Sequence, residues 1–335
     1  LALFAAAHGI VESVKEAQEL EIKLTNINFQ LTQAGQSDSF GQVKKDILDL
    51  ARETGIASTK IAEIRYQVQG AFGSDVTLGG LSGKGLVDEQ TKSVAQISAL
   101  TGFDSQKVVD SVTAVGLAFD VTGKQVGSAA YQLEQKFGVR AQETLDFLGD
   151  IAPVAKQAGF SLEEFATIAA IAQQRSGQSG SAIAEKFSRA ITGIAEKKND
   201  LVKVISDSQT LNSDDALLQA VNLNDVRGII LEIGKVFDKL DTVTQDKLAN
   251  VLGGPRNFQA ILPALKGGDI EANAKDVDLQ QNTLEERFNK FNETFSQQLK
   301  QFGEALKQIG IAVYDAGLKD ALSILVETLK LVAEV

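Results

Sequence analysis

The sequence contains no cysteine, methionine or tryptophan and only one histidine, His8, among 335 residues. The lack of cysteine excludes disulfides, thiolate metal sites and cysteine nucleophiles, and one histidine is too few for a histidine-based zinc site. Most histidine-dependent acid–base chemistry is excluded for the same reason. We therefore predict a protein that is not an enzyme, with no catalytic residues, no cofactor and no metal site. We expect His8 to be packed or exposed without a ligand.

Proline is scarce as well, with 3 residues, whereas the helix-forming residues alanine, leucine, glutamine, glutamate and lysine are plentiful. Because proline interrupts helices, this balance favours an all-α fold. At about 150 residues per domain, the length corresponds to roughly two domains, which is enough to bury a sizeable core. The chain begins at Leu1 and lacks methionine, so we expect it to be a section of a longer chain.

The charge is unbalanced toward the acidic side, with 33 basic residues, 44 acidic residues and a net charge of −11. Such a surface repels nucleic acid phosphates and anionic membranes, so we expect no sequence-specific nucleic acid binding. No uncharged apolar run reaches the ~18 residues that a membrane-spanning helix needs. We interpret the apolar stretch 1–11 as the end of a longer apolar helix.

Apolar residues recur at steps of three and four through most of the chain, which is the spacing of amphipathic helices. The first such run covers residues 1–33, and a second covers 40–54. On this pattern we predict an N-terminal long amphipathic helix (1–35), a helical core domain (36–265), a linker (266–283) and a C-terminal coiled-coil-like helix (284–335).

Four glycines share one local context in the core domain: Gly55, Gly102, Gly138 and Gly159 each follow an amphipathic run and precede an apolar residue. Glycine accepts the left-handed conformation that ends a helix, and the apolar residue then packs back on the last turn. We therefore predict that these four corner glycines terminate helices. Their irregular intervals favour a helical domain over a solenoid of equal repeats.

Two stretches of the core domain depart from this pattern, a glycine-rich stretch at 70–85 and a polar stretch at 199–227. We predict a mobile loop for the first and a loop with a short helix for the second. Within the first, Lys84 lies where the lysine of a phosphate-binding loop would be. The motif fails because Leu78 replaces its first glycine and Gly85 replaces the serine or threonine after the lysine.

Two carboxylate pairs, Asp214–Asp215 and Glu163–Glu164, could in principle carry acid–base chemistry. We interpret both as acidic residues in the first turn of a helix, where they complement the helix dipole. Ser161 precedes Glu164 at the spacing of a capping box, which supports that interpretation. Neither pair is predicted to be catalytic.

The segment after residue 283 carries a longer apolar pattern, at steps of three and four with one additional four-residue step. We predict one long helix with a narrow seam. A narrow apolar seam needs a partner, and identical parallel copies are the simplest partners, with three copies favoured. The predicted self-association seam consists of Leu284, Phe288, Phe291, Phe295, Leu299, Phe302, Leu306, Ile309 and Val313.

Four stretches of the chain resemble the conserved core region of the phage tail tape measure family. The order and mutual spacing of these stretches resemble those of the family, and the resemblance extends from about residue 42 to the end. The stretches are LARETGI (50–56), LGDIAPVAKQAGFSLEEF (148–165), GQSGSAIAEKF (177–187), and VLGGPRNF (251–258) with ILPAL (261–265).

This resemblance implies a structural virion protein inside the phage tail. Several copies of a long helical chain would fill the tail tube, set its length during assembly in the host cytoplasm, and leave at genome ejection. The implied partners are identical copies, tail tube and tail tip proteins, tail assembly chaperones, and the host envelope during ejection. The family contributes no catalytic residues to this region.

Two other interpretations remain open at the level of sequence. A membrane-active, pore-forming helical bundle would expose its apolar faces on insertion, although no lysine- and arginine-rich face supports it. An unrelated helical scaffold protein is the second alternative. Either would also present long amphipathic helices without catalytic residues.

Overall fold

The computed structural model describes residues 2–33, 40–73, 75–208, 216–266 and 270–315. Over these residues the chain forms 17 helices and is 83% helical, with one two-stranded hairpin. The prediction of an all-α fold is confirmed. No described helix is long and apolar enough to cross a membrane.

The helices and strands are numbered in the order in which they occur along the chain. The helices are α1 (Ala2–Gln33), α2 (Phe40–Thr54), α3 (Ser58–Phe72), α4 (Gly83–Thr101), α5 (Ser105–Phe119), α6 (Gly123–Phe137), α7 (Ala141–Gln157), α8 (Leu162–Ser176), α9 (Gly180–Glu196), α10 (Lys198–Ser206), α11 (Ala216–Leu223), α12 (Val226–Val236), α13 (Thr242–Val251), α14 (Pro255–Lys266), α15 (Ile270–Ala274), α16 (Thr283–Asn292) and α17 (Phe295–Val313). The strands are β1 (Thr77–Leu78) and β2 (Leu81–Ser82), and Phe237–Lys239 forms a short 3-10 helix.

The chain divides into two compact units. Unit 1 combines Leu1–Val109 with Glu285–Val335, and unit 2 is Asp110–Leu284. These bounds differ from the four segments expected from the sequence pattern, because α17 packs against α1 and α2. Both ends of the sequence therefore contribute to the same unit.

In unit 1, the second half of α1 packs on α3 through one apolar stripe. The ion pair between Lys23 and Glu63, 3.4 Å long, joins the same two helices. Residues at steps of three and four share one side of a helix, so the stripe buries apolar area along this half of α1. It consists of Ala17, Leu20, Leu24, Ile27 and Leu31, each at most 4% exposed.

In unit 2, phenylalanines from consecutive helices meet in the core. Phe147, Phe165 and Phe187 are completely buried, and Phe160 is 2% exposed. The ring centroids of Phe147 and Phe165 are 4.7 Å apart, and those of Phe165 and Phe187 are 5.8 Å apart. Tilted rings at these distances stabilise a core beyond their burial alone. This cluster holds α7, α8 and α9 together.

All four corner glycines have a positive φ, with +65° at Gly55, +66° at Gly102, +68° at Gly138 and +92° at Gly159. The N–H groups of Gly55, Gly102 and Gly138 each donate to the carbonyl four residues earlier, at 2.9 Å. Each of the four therefore lies where the chain leaves a helix. Gly177, which was not predicted, ends α8 in the same way with φ +65°.

The glycine-rich stretch 70–85 does not form a single loop. Helix α3 continues to Phe72, β1 and β2 pair in register with Leu78 opposite Leu81, and α4 begins at Gly83. Gly79 and Gly80 have positive φ values and form the two-residue turn that right-twisted strands require. Composition alone indicated a loop because the same glycines also serve helix ends and tight turns.

The stretch 199–227 is also more helical than predicted. It contains most of α10, all of α11 and the start of α12, while residues 209–215, including Asp214 and Asp215, lie outside the described residues. The expected linker 266–283 likewise holds α15. Its end is fixed to α6 by Gln132, whose side chain both donates to and accepts from the backbone of Asp278 at 2.8 Å.

Candidate assembly surface on the C-terminal helix

The single helix expected from residue 284 onward is divided into α16 and α17. At the division the N–H of Thr294 donates to the carbonyl of Phe291 at 3.0 Å. The hydroxyl of Thr294 accepts from the N–H of Gln297 at 3.3 Å, which is the contact of a helix N-cap. The division comes directly before Phe295, where the sequence pattern takes its additional four-residue step.

The first part of the predicted seam is covered by the chain itself. Leu284 and Phe288 are completely buried, and the backbone N–H of Leu284 donates to the hydroxyl of Ser128 at 3.2 Å. The ring of Phe291 lies 6.3 Å from that of Phe288 and is partly exposed. Leu284 and Phe288 are therefore not available to another molecule in this structure.

Helix α17 faces α2, another helix of unit 1, with amide side chains. Three glutamines of α17 donate their amide N–H groups to backbone carbonyls of α2, two of which belong to its last turn. The last four carbonyls of a helix have no partner within the helix, so side-chain donors are stabilising there. The pairs are Gln297 with Thr54, Gln301 with Glu53 at 2.6 Å, and Gln308 with Leu48 at 2.6 Å.

The corner at Gly55 also belongs to this contact. A Cβ added at Gly55 would lie 2.9 Å from the Cβ of Lys300 and 3.1 Å from the amide nitrogen of Gln297. Distances below about 3.0 Å are shorter than real Cβ contacts, so any other residue would push α17 away. Gly55 therefore has two roles, since it ends α2 and allows α17 to approach.

The charged residues of α17 between 301 and 313 also point toward the chain's own helices. Lys307 lies 3.1 Å from a carboxylate oxygen of Glu304 and 3.2 Å from one of Glu16 on α1. Glu304 is only 5% exposed. The hydroxyl of Ser58, the first residue of α3, donates to Glu16 at 3.2 Å. This cluster joins α1, α3 and α17.

Burial and a second carboxylate change the pKa values in this cluster. Burial raises the pKa of Glu304 above its usual range, and the negative charge of Glu16 raises it further, while the hydrogen bond from Lys307 acts in the opposite direction. Burial alone lowers the pKa of Lys307, but its contacts with Glu304 and Glu16 outweigh burial and raise it. Lys307 therefore stays protonated between the two carboxylates.

On the opposite side of α17 the described apolar side chain is that of Phe302, and the sequence places exposed Gln298 about 40° away from it. Phe302 is 62% exposed and lies about 200° around the helix from Glu304, at ~100° per residue. Positions 295, 299, 306, 309 and 313 fall within about 60° of Phe302 by the same repeat. The side chains of Phe295, Leu299, Leu306, Ile309 and Val313 lie outside the described part of the structure.

A surface helix usually buries its apolar residues and exposes its charges, whereas α17 buries Glu304 together with Ile311 and exposes Phe302. Between residues 301 and 313 the only charged residues in the sequence are Glu304, which is buried, and Lys307, which is partly exposed and pairs with Glu304 and Glu16. We call the face of α17 around Phe302 the outer seam. The sequence places five further apolar residues within about 60° of Phe302, and a contiguous apolar surface favours contact with another apolar surface over contact with water.

The other residues considered from sequence carry ordinary structural contacts. Lys84 lies in the first turn of α4 and pairs with Asp46 at 3.2 Å and with Asp88. Glu164 forms the capping box with Ser161 and binds Arg227 with both carboxylate oxygens. The side chain of His8 lies outside the described part, and the described residues contain no cluster of three ligands suited to a metal ion.

Sequence reasoning missed the glutamine contacts of α17. Gln297, Gln301 and Gln308 follow the steps of four and seven that place residues on one side of a helix. That regular spacing was the available signal. The spacing alone does not indicate a contact, because amide residues at such positions usually face solvent.

Comparison with known protein families identifies a family that covers much of the chain. The family described as phage-related minor tail protein matches residues 44–254, which is well over half of the chain. The matched range begins within α2 and ends at the turn after α13, so it contains all four corner glycines and precedes α17. No curated protein and no solved structure matches the chain.

Proposed function

The chain belongs to the family of phage-related minor tail proteins, and from this premise we propose that it is a tail tape measure protein. In this role it sets tail length during assembly, fills the lumen of the tail tube and leaves at genome ejection. Family membership makes it a structural protein of the phage tail, with a location in the virion. It acts by assembly and not by catalysis.

The outer seam of α17 is the observation that carries this proposal. A helix that buries Glu304 against α1 and exposes Phe302, in a sequence pattern with apolar residues around Phe302, fits an apolar partner. The heptad-like steps of the seam match those of a second α17, because parallel helices with this repeat bury their seams against each other. Identical copies present the same seam at the same height, so association through it places several chains side by side along one axis.

The acidic composition of the chain is consistent with the proposed location of the protein in the lumen of the tail tube. With a net charge of −11, the protein is repelled by the DNA that passes through the same lumen. It therefore separates from the genome without a competing electrostatic attraction. The partners in this proposal are identical copies, tail tube and tail tip proteins, tail assembly chaperones, and the host envelope during ejection.

The test of the ruler role compares a deletion with an insertion. Removing two heptads from the seam, about 14 residues at ~1.5 Å per residue, should shorten the tail by about 21 Å, rounded to whole tube rings. Inserting a copy of the same residues should lengthen the tail by the same amount. Tail lengths are measured by electron microscopy of negatively stained particles.

The insertion is the control for damage to the protein. A damaged protein could give short or missing tails, but it could not give longer tails of uniform length. Tails of unchanged length in both variants would exclude the ruler role, and the chain would then be a tail protein with another task.

A further inference from the structure

Helix α1 carries apolar residues on two opposite sides. Its inner side holds the apolar stripe that packs on α3, from Ala17 to Leu31. Its outer side exposes Ile22 and Phe29, whose exposed fractions are 65% and 64%. These two residues are seven positions apart, so they lie on one line along the helix, about 170° from the centre of the stripe at ~100° per residue. A helix that is apolar on both sides is typical of one that is covered on both sides.

Two exposed threonines continue this outer line, one turn after each of the two apolar residues. The hydroxyl of Thr25 donates to the carbonyl of Glu21 and that of Thr32 to the carbonyl of Asn28, each at 2.8 Å. Because these donors are used within the helix, each threonine offers a partner chiefly its methyl group. The line of four residues that we call the α1 face consists of Ile22, Thr25, Phe29 and Thr32.

The sequence continues the α1 face toward the start of the helix. At steps of three and four, with one additional four-residue step next to Gln18, the same line reaches Phe4. All its positions fall within about 40° of Gln18, none is charged, and the nearest charges, Lys15 and Glu21, are about 60° away on either side. The outer seam of α17 has the same kind of pattern, with one additional four-residue step. The positions of the line are 4, 7, 11, 14, 18, 22, 25, 29 and 32.

The α1 face and the outer seam share one side of unit 1. Helix α17 packs on α1 and α2, α1 packs on α3, and α3 packs on α2, so the four helices form a ring in which α1 and α17 are neighbours. The apolar stripe of α1 turns toward α3, and the glutamines of α17 bind carbonyls of α2. Because the α1 face and the outer seam lie opposite these contacts, both point outward where α1 adjoins α17.

The two helices also run in the same direction. Lys307 of α17 contacts Glu16 of α1 at 3.2 Å, and the hydroxyl of Tyr314, directly after α17, lies 3.5 Å from Glu21. A step forward along α17 is therefore a step forward along α1. The α1 face and the outer seam form two parallel apolar lines on one surface of the unit.

The charge of the chain indicates what covers this surface. At a net charge of −11, two copies repel each other over much of their surfaces, whereas lines without charged residues allow close approach. Helices whose apolar residues recur at steps of three and four bury these residues against helices with the same steps. A second copy of the chain provides both properties, and the α1 face adjoins the outer seam to which a second copy is already assigned.

We propose that the α1 face and the outer seam together form one two-helix surface that binds a second copy of the chain. Helix α1 is then covered on both sides, by its own unit and by the neighbouring chain. This role of α1 rests on the self-association in the proposed function, and it extends the contact from one helix to two.

Sedimentation equilibrium of the full chain tests the surface. Ile22→Gln and Phe29→Gln each place a polar, helix-forming residue on the α1 face. Each should weaken self-association at least about tenfold, because a large apolar side chain is lost from the contact. The free energy of unfolding should stay nearly unchanged, since both residues are largely exposed. Val243→Gln, at a similarly exposed position of α13 in unit 2, is the matched control and should associate as the wild type does.

A second measurement leaves the apolar residues of the α1 face in place. The chain has no cysteine, so Thr25→Cys introduces a single thiol on the α1 face. If a second copy covers the face, the reaction of this thiol with a small thiol reagent should slow as the protein concentration rises and the chain associates. The thiol introduced by Val243→Cys should react at the same rate at all concentrations.

The possible failures are distinguishable. If Ile22→Gln and Phe29→Gln associate as the wild type does while Phe302→Ala is weakened, the outer seam acts alone and the role of α1 is wrong. A thiol at position 25 whose reactivity does not depend on concentration rejects the role of α1 in the same way. A wild-type chain that stays monomeric at high concentration rejects both faces. Unchanged tail lengths in the deletion and insertion variants reject the ruler role, but they do not affect this surface.

Discussion

A Cβ added at Gly55 would lie 2.9 Å from the Cβ of Lys300, whereas a Cβ added at Gly102 would meet nothing within 4 Å. Both glycines have nearly the same φ, so replacement by alanine costs the same left-handed strain at each, about 1–2 kcal/mol. We expect Gly55→Ala to lower the free energy of unfolding by a further ~1–3 kcal/mol, because α17 must move. Urea denaturation of both variants measures the difference, and equal losses would contradict the contact.

The outer seam predicts that two phenylalanines of the same sequence pattern respond differently to truncation. Phe302→Ala should leave the free energy of unfolding nearly unchanged, because Phe302 is 62% exposed, but should weaken self-association in sedimentation experiments. Phe288→Ala should cost about 3–5 kcal/mol of stability, because Phe288 is completely buried. If the wild-type chain sediments as a monomer at high concentration, the outer seam does not mediate self-association.

Glu164 should stabilise the fold at neutral pH and lose this effect in acid. Burial acts to raise its pKa, but the hydrogen bonds from Arg227 and from the N–H of Ser161 outweigh burial and lower it. A lowered pKa in the folded state contributes stability that is present above the ordinary pKa and disappears as the pH falls through the lowered one. The stability advantage of the wild type over Glu164→Gln should therefore shrink below about pH 4.5. A difference independent of pH would argue against the ion pair.

Glu304 should show the opposite dependence. Burial raises its pKa in the folded state, so the folded protein binds a proton more readily than the unfolded chain does. Stability relative to Glu304→Gln should rise as the pH falls from neutral toward the ordinary glutamate pKa. Urea midpoints of both proteins across this range measure the effect. If the urea midpoints of wild type and variant change with pH in the same way, Glu304 is exposed to solvent and does not pack against α1 as the structure shows.

Local signals in the sequence were sufficient for the helix ends. Helix α2 begins and ends where the pattern predicts, at Phe40 and Thr54, and Gly55 leaves it with a positive φ. Such features depend on residues within one or two turns, so the sequence contains the whole cause. The same holds for the capping box at Ser161 and Glu164.

The orientation of α17 could not be predicted in this way. Helical spacing shows that Phe302 and Glu304 lie on opposite faces, but it does not show which face meets the rest of the chain. That choice depends on donors for the carbonyls of Glu53 and Thr54, which lie far away in the sequence. The burial of Arg65 on α3, whose side chain is only 3% exposed, could not be predicted for a similar reason, because charged residues in a helical pattern are usually exposed.

The inward charges of α17 also affect how the protein behaves before assembly. Charged side chains on a surface keep a newly made protein in solution, and this helix uses Glu304 and Lys307 for internal contacts instead. Until a partner covers it, the stretch around Phe302 is therefore a place where the isolated chain is prone to precipitate. The substitution Phe302→Lys should raise the solubility of the purified chain.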